Sequence, residues 1–186
     1  MSRTTTLSLR LRQLVLAGLL AALSILCGKY LAIRGGDILR FSFENLPILL
    51  SGFVLGPLWG ALTGAVADLL GCAMVGYTVN PLVTLGAVAI GLVGGILYRA
   101  LGRLSLPWRV ILSSLAAHIA GSILLKTWGL ASYYDYPFPV LLLWRILNYL
   151  IIEILEGGLL LLLLRHKALR SALSHFEAPK KGGTQP

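Results

Sequence analysis

The chain has 186 residues, a mean hydropathy of +0.84 and only 12% charged residues. Soluble domains contain about 25% charged residues on average, so this composition excludes a water-soluble core. The formal charge of +9 and the pI near 10.0 are also typical of nucleic-acid-binding proteins. In this chain, however, the basic residues are dispersed between apolar runs and form no contiguous basic face. We interpret the chain as one integral membrane domain, surrounded by lipid and without a nucleic-acid partner.

The apolar runs predict an all-α integral membrane protein, a bundle of six transmembrane helices. A membrane-spanning helix needs about 20 mostly apolar residues, which leaves room for five or six spans, and the breaks along the chain favour six. The predicted spans are residues 13–33, 45–55, 57–75, 81–99, 108–126 and 140–164.

Proline and glycine mark several of the predicted ends. Gly56-Pro57 ends the second span because proline lacks an amide donor and excludes helical geometry from its predecessor, and Pro81 suits the first position of the fourth. The second span is short for a bilayer, which is typical of tilted helices or a recessed vestibule. Small residues every four positions, at Gly52, Gly56, Gly60 and Gly64, indicate close helix packing.

The positive charges near the span ends predict the topology. Most arginines and lysines lie in the amino segment, the second and fourth connectors and the carboxyl tail, so both termini are predicted to be cytoplasmic. The chain then divides into a cytoplasmic segment 1–12, a membrane domain 13–164 and a basic cytoplasmic tail 165–186. The other three connectors, residues 34–44, 76–81 and 127–139, share the outer face.

Ionisable side chains inside or beside the spans are candidates for a binding site, since each costs about 2.5 to 3.5 kcal/mol at mid-bilayer on insertion scales. Lys126 and Arg145 lie near the outer ends of their spans, and Arg40 lies in the first connector. Three cations in one vestibule predict an anionic ligand, because guanidinium and ammonium groups bind carboxylates. Alternatively the charges pair internally, Arg40 with Glu44 and Arg145 with an aspartate, Asp68 or Asp135.

Aromatic residues are concentrated in the connector 127–139 and its edges. They either form an interfacial belt or stack on a planar ligand at the mouth of the vestibule. Together with the cations, they favour a long planar dianion. The candidates are Trp128, Tyr133, Tyr134 and Phe138.

Ionisable residues deeper in the predicted spans indicate an alternative function, that of an intramembrane enzyme. His118 lies in the middle of the fifth span, and a packed, hydrogen-bonded histidine is favoured over a catalytic one. Glu153 and Glu156 are one turn apart and either cap buried amides, face the cytoplasmic half or are protonated. An intramembrane enzyme would use these residues or Asp68.

Motifs for catalysis, nucleotides and metals are missing from the sequence. It contains no HExxH, GxSxG, P-loop or dinucleotide-binding pattern, so we predict no catalytic residue and no ATPase site of its own. Cys27 and Cys72 have no metal-ligand spacing, so no metal site is predicted.

Small residues on the first span form two small-xxx-small pairs on neighbouring faces. One pair is Ala17 with Ala21, and the other is Gly18 with Ala22. Such pairs let another helix approach the backbone closely. Internal packing and docking of a separate subunit are both open at this point.

Two stretches resemble a known family. Residues 38–71, ILRFSFENLPILLSGFVLGPLWGALTGAVADLLG, are similar to the second and third helices of substrate-binding S components of energy-coupling factor (ECF) vitamin transporters. Residues 124–153, LLKTWGLASYYDYPFPVLLLWRILNYLIIE, look like the folate-specific branch, which has a last-helix arginine after a tyrosine and a Pro-aromatic pair. The chain departs from many folate members in having Leu143-Trp144 where they have two prolines.

The resemblance implies a multi-pass protein of the bacterial cell membrane that captures a vitamin with high affinity from the outer face. It implies docking through Ala17 and Ala21 onto a transmembrane coupling subunit that carries two ATPase subunits. ATP would be hydrolysed by those partners, so no cofactor is implied for this chain. An S component for another vitamin or a related small molecule is the near alternative.

For folate, the resemblance also implies roles for individual residues. The glutamate carboxylates of folate would be bound or oriented by cations, namely Arg40, Lys126 and Arg145. The pterin and benzoyl rings would stack on aromatic residues, namely Trp128, Tyr133, Tyr134 and Phe138. The polar pterin edge would pair with Glu44, Asp68 or Asn80.

Overall fold

The computed structural model describes residues 3–35, 39–134 and 137–167, with side chains from residue 9 onward except at 34–40 and 134. Within these ranges the chain is helical apart from one small hairpin and short turns. Helix α1, Arg3–Ile25, continues as a π-helical segment, Leu26–Tyr30. Strands β1, Ile33–Gly35, and β2, Leu39–Phe41, then form an antiparallel hairpin.

Six further helices follow the hairpin. They are α2, Asn45–Val54; α3, Pro57–Val75; α4, Pro81–Ala100; α5, Leu106–Ala117; α6, Lys126–Tyr134; and α7, Phe138–Arg165. A second π-helical segment, His118–Leu125, joins α5 to α6 without a break. Prolines stand at the amino ends of α3, α4, α5 and α7, where a missing amide hydrogen leaves no helical bond unmade.

All six predicted spans are helical over most of their length, but the first ends at Tyr30 rather than at residue 33, where β1 begins. Among the described residues, five runs are long and apolar enough to cross a membrane: Leu9–Tyr30, Pro57–Val75, Pro81–Ala100, Leu106–Tyr133 and Phe138–Arg165. The remaining span, α2, has only 10 residues, which corresponds to about 15 Å against a hydrocarbon thickness of about 30 Å. The side on which the termini lie stays a prediction.

The predicted end of the fifth span at residue 126 is wrong. The helix continues to Tyr134, so most of the predicted connector 127–139 is helical. The Lys126 side chain at the predicted end is buried and paired with a carboxylate inside the bundle. Because the charge is satisfied internally, the helix does not have to end there.

Glycines bring three helix backbones into contact. A Cβ atom added at Gly60 on α3 would lie 2.6 Å from the Gly91 carbonyl oxygen on α4 and 2.7 Å from the Gly52 Cα atom on α2. No side chain fits between such surfaces. The predicted packing role of these glycines is therefore confirmed. Beside them, the Phe53 and Tyr98 rings stack with 4.3 Å between their centroids.

The two small-residue pairs of α1 face opposite environments. Ala17 and Ala21 are 6% and 3% exposed, and Ala21 packs with Ala67 of α3. Gly18 and Ala22 are exposed. The expectation that Ala17 and Ala21 dock a partner is corrected, since a four-residue spacing defines a face without showing whether it points into the bundle.

The glycine contact predicts a specific loss of stability. Gly60→Ala should lower the free energy of unfolding by about 1 to 3 kcal/mol, because the added methyl group meets backbone atoms that cannot move aside. Gly158→Ala on α7 is the matched control, since its Cβ would have no neighbour within 4 Å. Thermal unfolding of the detergent-purified chain measures both variants. Equal unfolding temperatures would contradict the close contact.

Candidate substrate site

A cavity of about 210 Å³ lies at the end of the bundle where β2 leads into α2. Its walls come from the π-helical end of α1, the residues between β2 and α2, the turn between α3 and α4, and helices α6 and α7. The predicted connectors 34–44 and 76–81 thus contribute to one site. The cavity-lining residues that carry charge are Lys29, Glu44, Asp68, Lys126 and Arg145.

The Lys126–Glu44 ion pair is the central contact of the cavity. The Lys126 ammonium nitrogen lies 2.8 Å from Glu44 Oε1, and the lysine is only 5% exposed. Glycines make room for both side chains: a Cβ at Gly86 would lie 2.6 Å from Lys126 Cγ, and one at Gly28 would lie 2.7 Å from Glu44 Oε2. An anionic ligand can therefore compete with Glu44 for the lysine.

Arg145 reaches the cavity from the first turns of α7. Its Nε and Nη2 atoms donate to the Ser122 carbonyl oxygen at 3.2 and 3.0 Å, and its guanidinium lies over the Tyr149 ring at 5.4 Å. Among the described residues it forms no ion pair, so the predicted pairing with Asp68 is not found, and Asp135 lies outside them. A guanidinium has five N–H donors, so donors remain for a ligand.

Asp68 and Asn80 have partners on neighbouring elements. Asp68 Oδ2 accepts a hydrogen bond from the Thr84 hydroxyl at 2.7 Å. Asn80 caps α4, with Oδ1 accepting from the Leu82 amide at 3.0 Å, and its Nδ2 donates to the Gly129 carbonyl at 2.8 Å. Asn80 thus fastens α4 to α6, which is a structural role at the cavity edge.

Three lining residues were missed as ligand candidates from the sequence. Lys29 lies 3.7 Å from Cys72 Sγ and 5.6 Å from the centroid of the Tyr77 ring, so it adds a cation to the cavity. Tyr77 and Tyr149 supply aromatic surface. The available signal for Tyr149 was its position one helical turn after Arg145, on the same face of α7.

The aromatic residues predicted to line the vestibule lie elsewhere. Trp128, Tyr133 and Phe138 are 61%, 48% and 42% exposed and do not line the cavity. Because residues 126–134 form a helix rather than a loop, only one face of it points inward, and Leu130 occupies that face. The side chains of Arg40 and Tyr134 lie outside the described residues, so their predicted roles stay predictions.

A second polar cluster lies deeper in the bundle. His118 Nε2 is 3.0 Å from Glu156 Oε2 and 3.5 Å from Glu153 Oε2. Glu156 Oε1 also accepts a hydrogen bond from the Leu46 amide in the first turn of α2 at 3.2 Å. Of the interpretations left open for the two glutamates, capping of a buried amide is confirmed for Glu156.

The chain belongs to the family of ECF transporter substrate-specific components, whose model matches residues 12–170. Members of this family are membrane proteins, in agreement with the five apolar runs of the described residues that are long enough to cross a membrane. The family assignment corrects the alternative of an intramembrane enzyme using Asp68, His118, Glu153 or Glu156.

Two solved structures share the fold. FolT, solved with folic acid bound, has a TM-score of 0.61 and 25% sequence identity, with 89% of this chain and 94% of FolT covered. The S component for biotin from an ECF-type ABC transporter has a TM-score of 0.68 at 17% identity, with 92% and 95% covered. At that identity, the second match shows the fold alone.

A curated relative matches over a shorter stretch. An uncharacterized protein of Mycoplasma pneumoniae (strain ATCC 29342 / M129) is 38% identical over 68 residues, which are 37% of this chain and 24% of that protein. The chain therefore spans about a quarter of that relative's length.

The contacts of Asn80 predict how its variants differ. Asn80→Ala removes both the cap and the bond to Gly129 and should lower the free energy of unfolding by about 1 to 2 kcal/mol. Asn80→Asp keeps the capping oxygen but loses the amide donor, so its loss should be smaller. Thermal unfolding of the purified variants tests this order, and a wild-type unfolding temperature for Asn80→Ala would contradict the structural role.

Proposed function

We propose that this S component captures folate and delivers it with an ATP-driven coupling module. The observation that carries the proposal is the cavity with three cations, Lys29, Lys126 and Arg145, against two carboxylates, Glu44 and Asp68. Three positive and two negative groups leave an excess of one positive charge, which favours an anion. The 25% identity with FolT, solved with folic acid bound, supports folate among the anionic vitamins.

The chemistry of folate matches the groups around the cavity. Its glutamate carries two carboxylates, one for the planar fork of Arg145 and one for the point charge of Lys126. The pterin ring carries an amino group and a ring N–H on one edge, which suit a carboxylate acceptor such as Glu44 or Asp68. Tyr77 and Tyr149 provide rings beside the cavity on which flat ligands stack.

The site has to widen when folate enters. Ligand pockets usually enclose about 300 to 1,000 Å³, which exceeds the cavity of about 210 Å³. Of the ion pair, Glu44 is the partner that is more easily displaced, because it follows the hairpin and is 20% exposed, whereas Lys126 is held inside the helical bundle. On this proposal a folate carboxylate replaces Glu44 at Lys126, and Glu44 becomes available to the pterin edge.

The orientation in the membrane and the partner subunits are also part of the proposed function. With both termini cytoplasmic, as the positive charges indicate, the cavity opens to the outside of a bacterial plasma membrane. The coupling module would comprise a transmembrane subunit and two ATPase subunits. Its docking surface is proposed to be the face of α1 that carries Gly18 and Ala22, because these small residues are exposed and a Cβ at Gly18 has no neighbour within 4 Å.

Removal of a cavity cation should weaken folate binding. Arg145→Ala and Lys126→Met each remove a partner of a desolvated carboxylate, which costs about 2 to 5 kcal/mol, or roughly 30-fold to several thousand-fold in affinity. Arg103→Ala is the control, since Arg103 is exposed in the turn between α4 and α5. Calorimetric titration of the purified chain with folic acid provides the measurement. Wild-type affinity in both cavity variants, or no binding of folic acid by the wild type, would refute the proposal.

The proposed docking face predicts a separation of uptake from binding. Gly18→Leu combined with Ala22→Leu should abolish folate uptake in cells that contain the coupling module, while the purified variant binds folic acid as before. Ala17→Leu, at the buried face, should instead lower the unfolding temperature. Normal uptake by the Gly18/Ala22 variant would exclude this surface as the docking site.

A further inference from the structure

The cluster behind the cavity contains more acidic groups than its surroundings can neutralise. Glu153 is 8% exposed, Glu156 is fully buried and His118 is 1% exposed. Within the described residues, no lysine or arginine forms an ion pair with either glutamate. Two ionised carboxylates against one imidazole would leave a net negative charge inside the bilayer even if the imidazole were protonated, and such a charge is expensive there.

The hydrogen bonds distinguish the two glutamates. Glu156 Oε1 accepts a hydrogen bond from the Leu46 amide at 3.2 Å, and its Oε2 lies 3.0 Å from His118 Nε2. The amino end of α2 adds its positive dipole beside the same carboxylate. These contacts favour the anionic form of Glu156, while its complete burial opposes that form.

Glu153 has a different partner. Its Oε1 lies 2.5 Å from the Ser114 hydroxyl oxygen, and that hydroxyl also lies 2.9 Å from the Val110 carbonyl oxygen. A serine hydroxyl has one hydrogen to donate, and in a buried helix it commonly goes to the carbonyl four residues earlier. The hydroxyl hydrogen can go to an ionised Glu153 or to the Val110 carbonyl, but both contacts are hydrogen bonds at once only when Glu153 carries a proton and donates it to Ser114 Oγ.

We propose that Glu153, with Ser114, His118 and Glu156, forms a proton-binding site in the membrane interior, and that Glu153 holds the proton at neutral pH. The proton lies on Glu153 Oε1 and is donated to Ser114 Oγ, while Ser114 donates to Val110. A single carboxylate then remains, on Glu156, facing His118 and the amino end of α2. The ligand is the proton itself, so the site does not depend on which substrate the cavity takes.

The proton-binding site lies beside the cavity and is hydrogen-bonded to the first turn of α2. Tyr149 lines the cavity, and its ring centroid lies 5.3 Å from that of His118, so one side chain separates the two. The other titratable groups near the cluster are Cys27 on the π-helical end of α1 and Glu44 before α2, both within electrostatic range of Glu156.

Infrared difference spectroscopy of the detergent-purified full chain tests the site. An ordinary glutamate titrates at about pH 4.3 and is ionised at neutral pH. The C=O stretching band of a protonated carboxyl group at neutral pH therefore marks the proposed proton. The band should be present in the wild type and lost in Glu153→Gln. It should persist in Asp68→Asn, the matched control in the cavity.

Two results would contradict a proton on Glu153. Absence of the band in the wild type at neutral pH, or its persistence in Glu153→Gln, would overturn the assignment. Glutamine retains an N–H donor for Ser114, so Glu153→Gln should keep a wild-type unfolding temperature. Should that variant fail to fold, Ser114→Ala provides the second test: it should shift the band by removing the acceptor, and an unshifted band would also overturn the proposal.

Discussion

The burial of a lysine in the bilayer is the constraint on which the substrate site depends. A lone ammonium group in the membrane interior is costly, and a buried pair is tolerated only with good geometry. Lys126 meets this condition through Glu44 at 2.8 Å, and Gly86 and Gly28 provide the space that the two side chains need. Because the pair spans two elements, it fixes the start of α2 against α6. The Lys126 ammonium group of this pair is also the cation that an incoming carboxylate would bind in place of Glu44.

The glycine contact among α2, α3 and α4 holds the other side of the site. Asp68 lies on α3, Asn80 caps α4, and Glu44 precedes α2, so the separation of these three groups depends on how closely the helices pack. In the membrane no water is expelled when helices associate, so close backbone approach and hydrogen bonds supply much of the attraction. The hydroxyl pair of Ser51 and Thr63, 2.8 Å apart, adds to it between α2 and α3.

Helix positions were predictable from the sequence because prolines and glycines end the apolar runs, and α3 begins at Pro57 as predicted. The orientation of side chains was less predictable. Lys126 was taken to mark a helix end because no sequence pattern shows that Glu44, distant in the chain, neutralises it. Trp128 and Tyr133 were placed at the cavity on the assumption of a loop, and the helix turned them outward. Ala17 and Ala21 were recognised as a close-packing pair, but their burial depends on Ala67 of α3.

Charge in the cavity acts on charge in the deeper cluster because the two lie close together: Tyr149 lines the cavity and its ring centroid lies 5.3 Å from that of His118. The cavity has an excess of one positive group, from Lys29, Lys126 and Arg145 against Glu44 and Asp68. An ionised Glu153 would place a further negative charge behind the cavity wall, where the low dielectric screens it poorly. It would therefore weaken the attraction of the cavity for an anion. A proton on Glu153 preserves that attraction, and Glu156 still serves as the acceptor that holds the first turn of α2, and with it Glu44, in place.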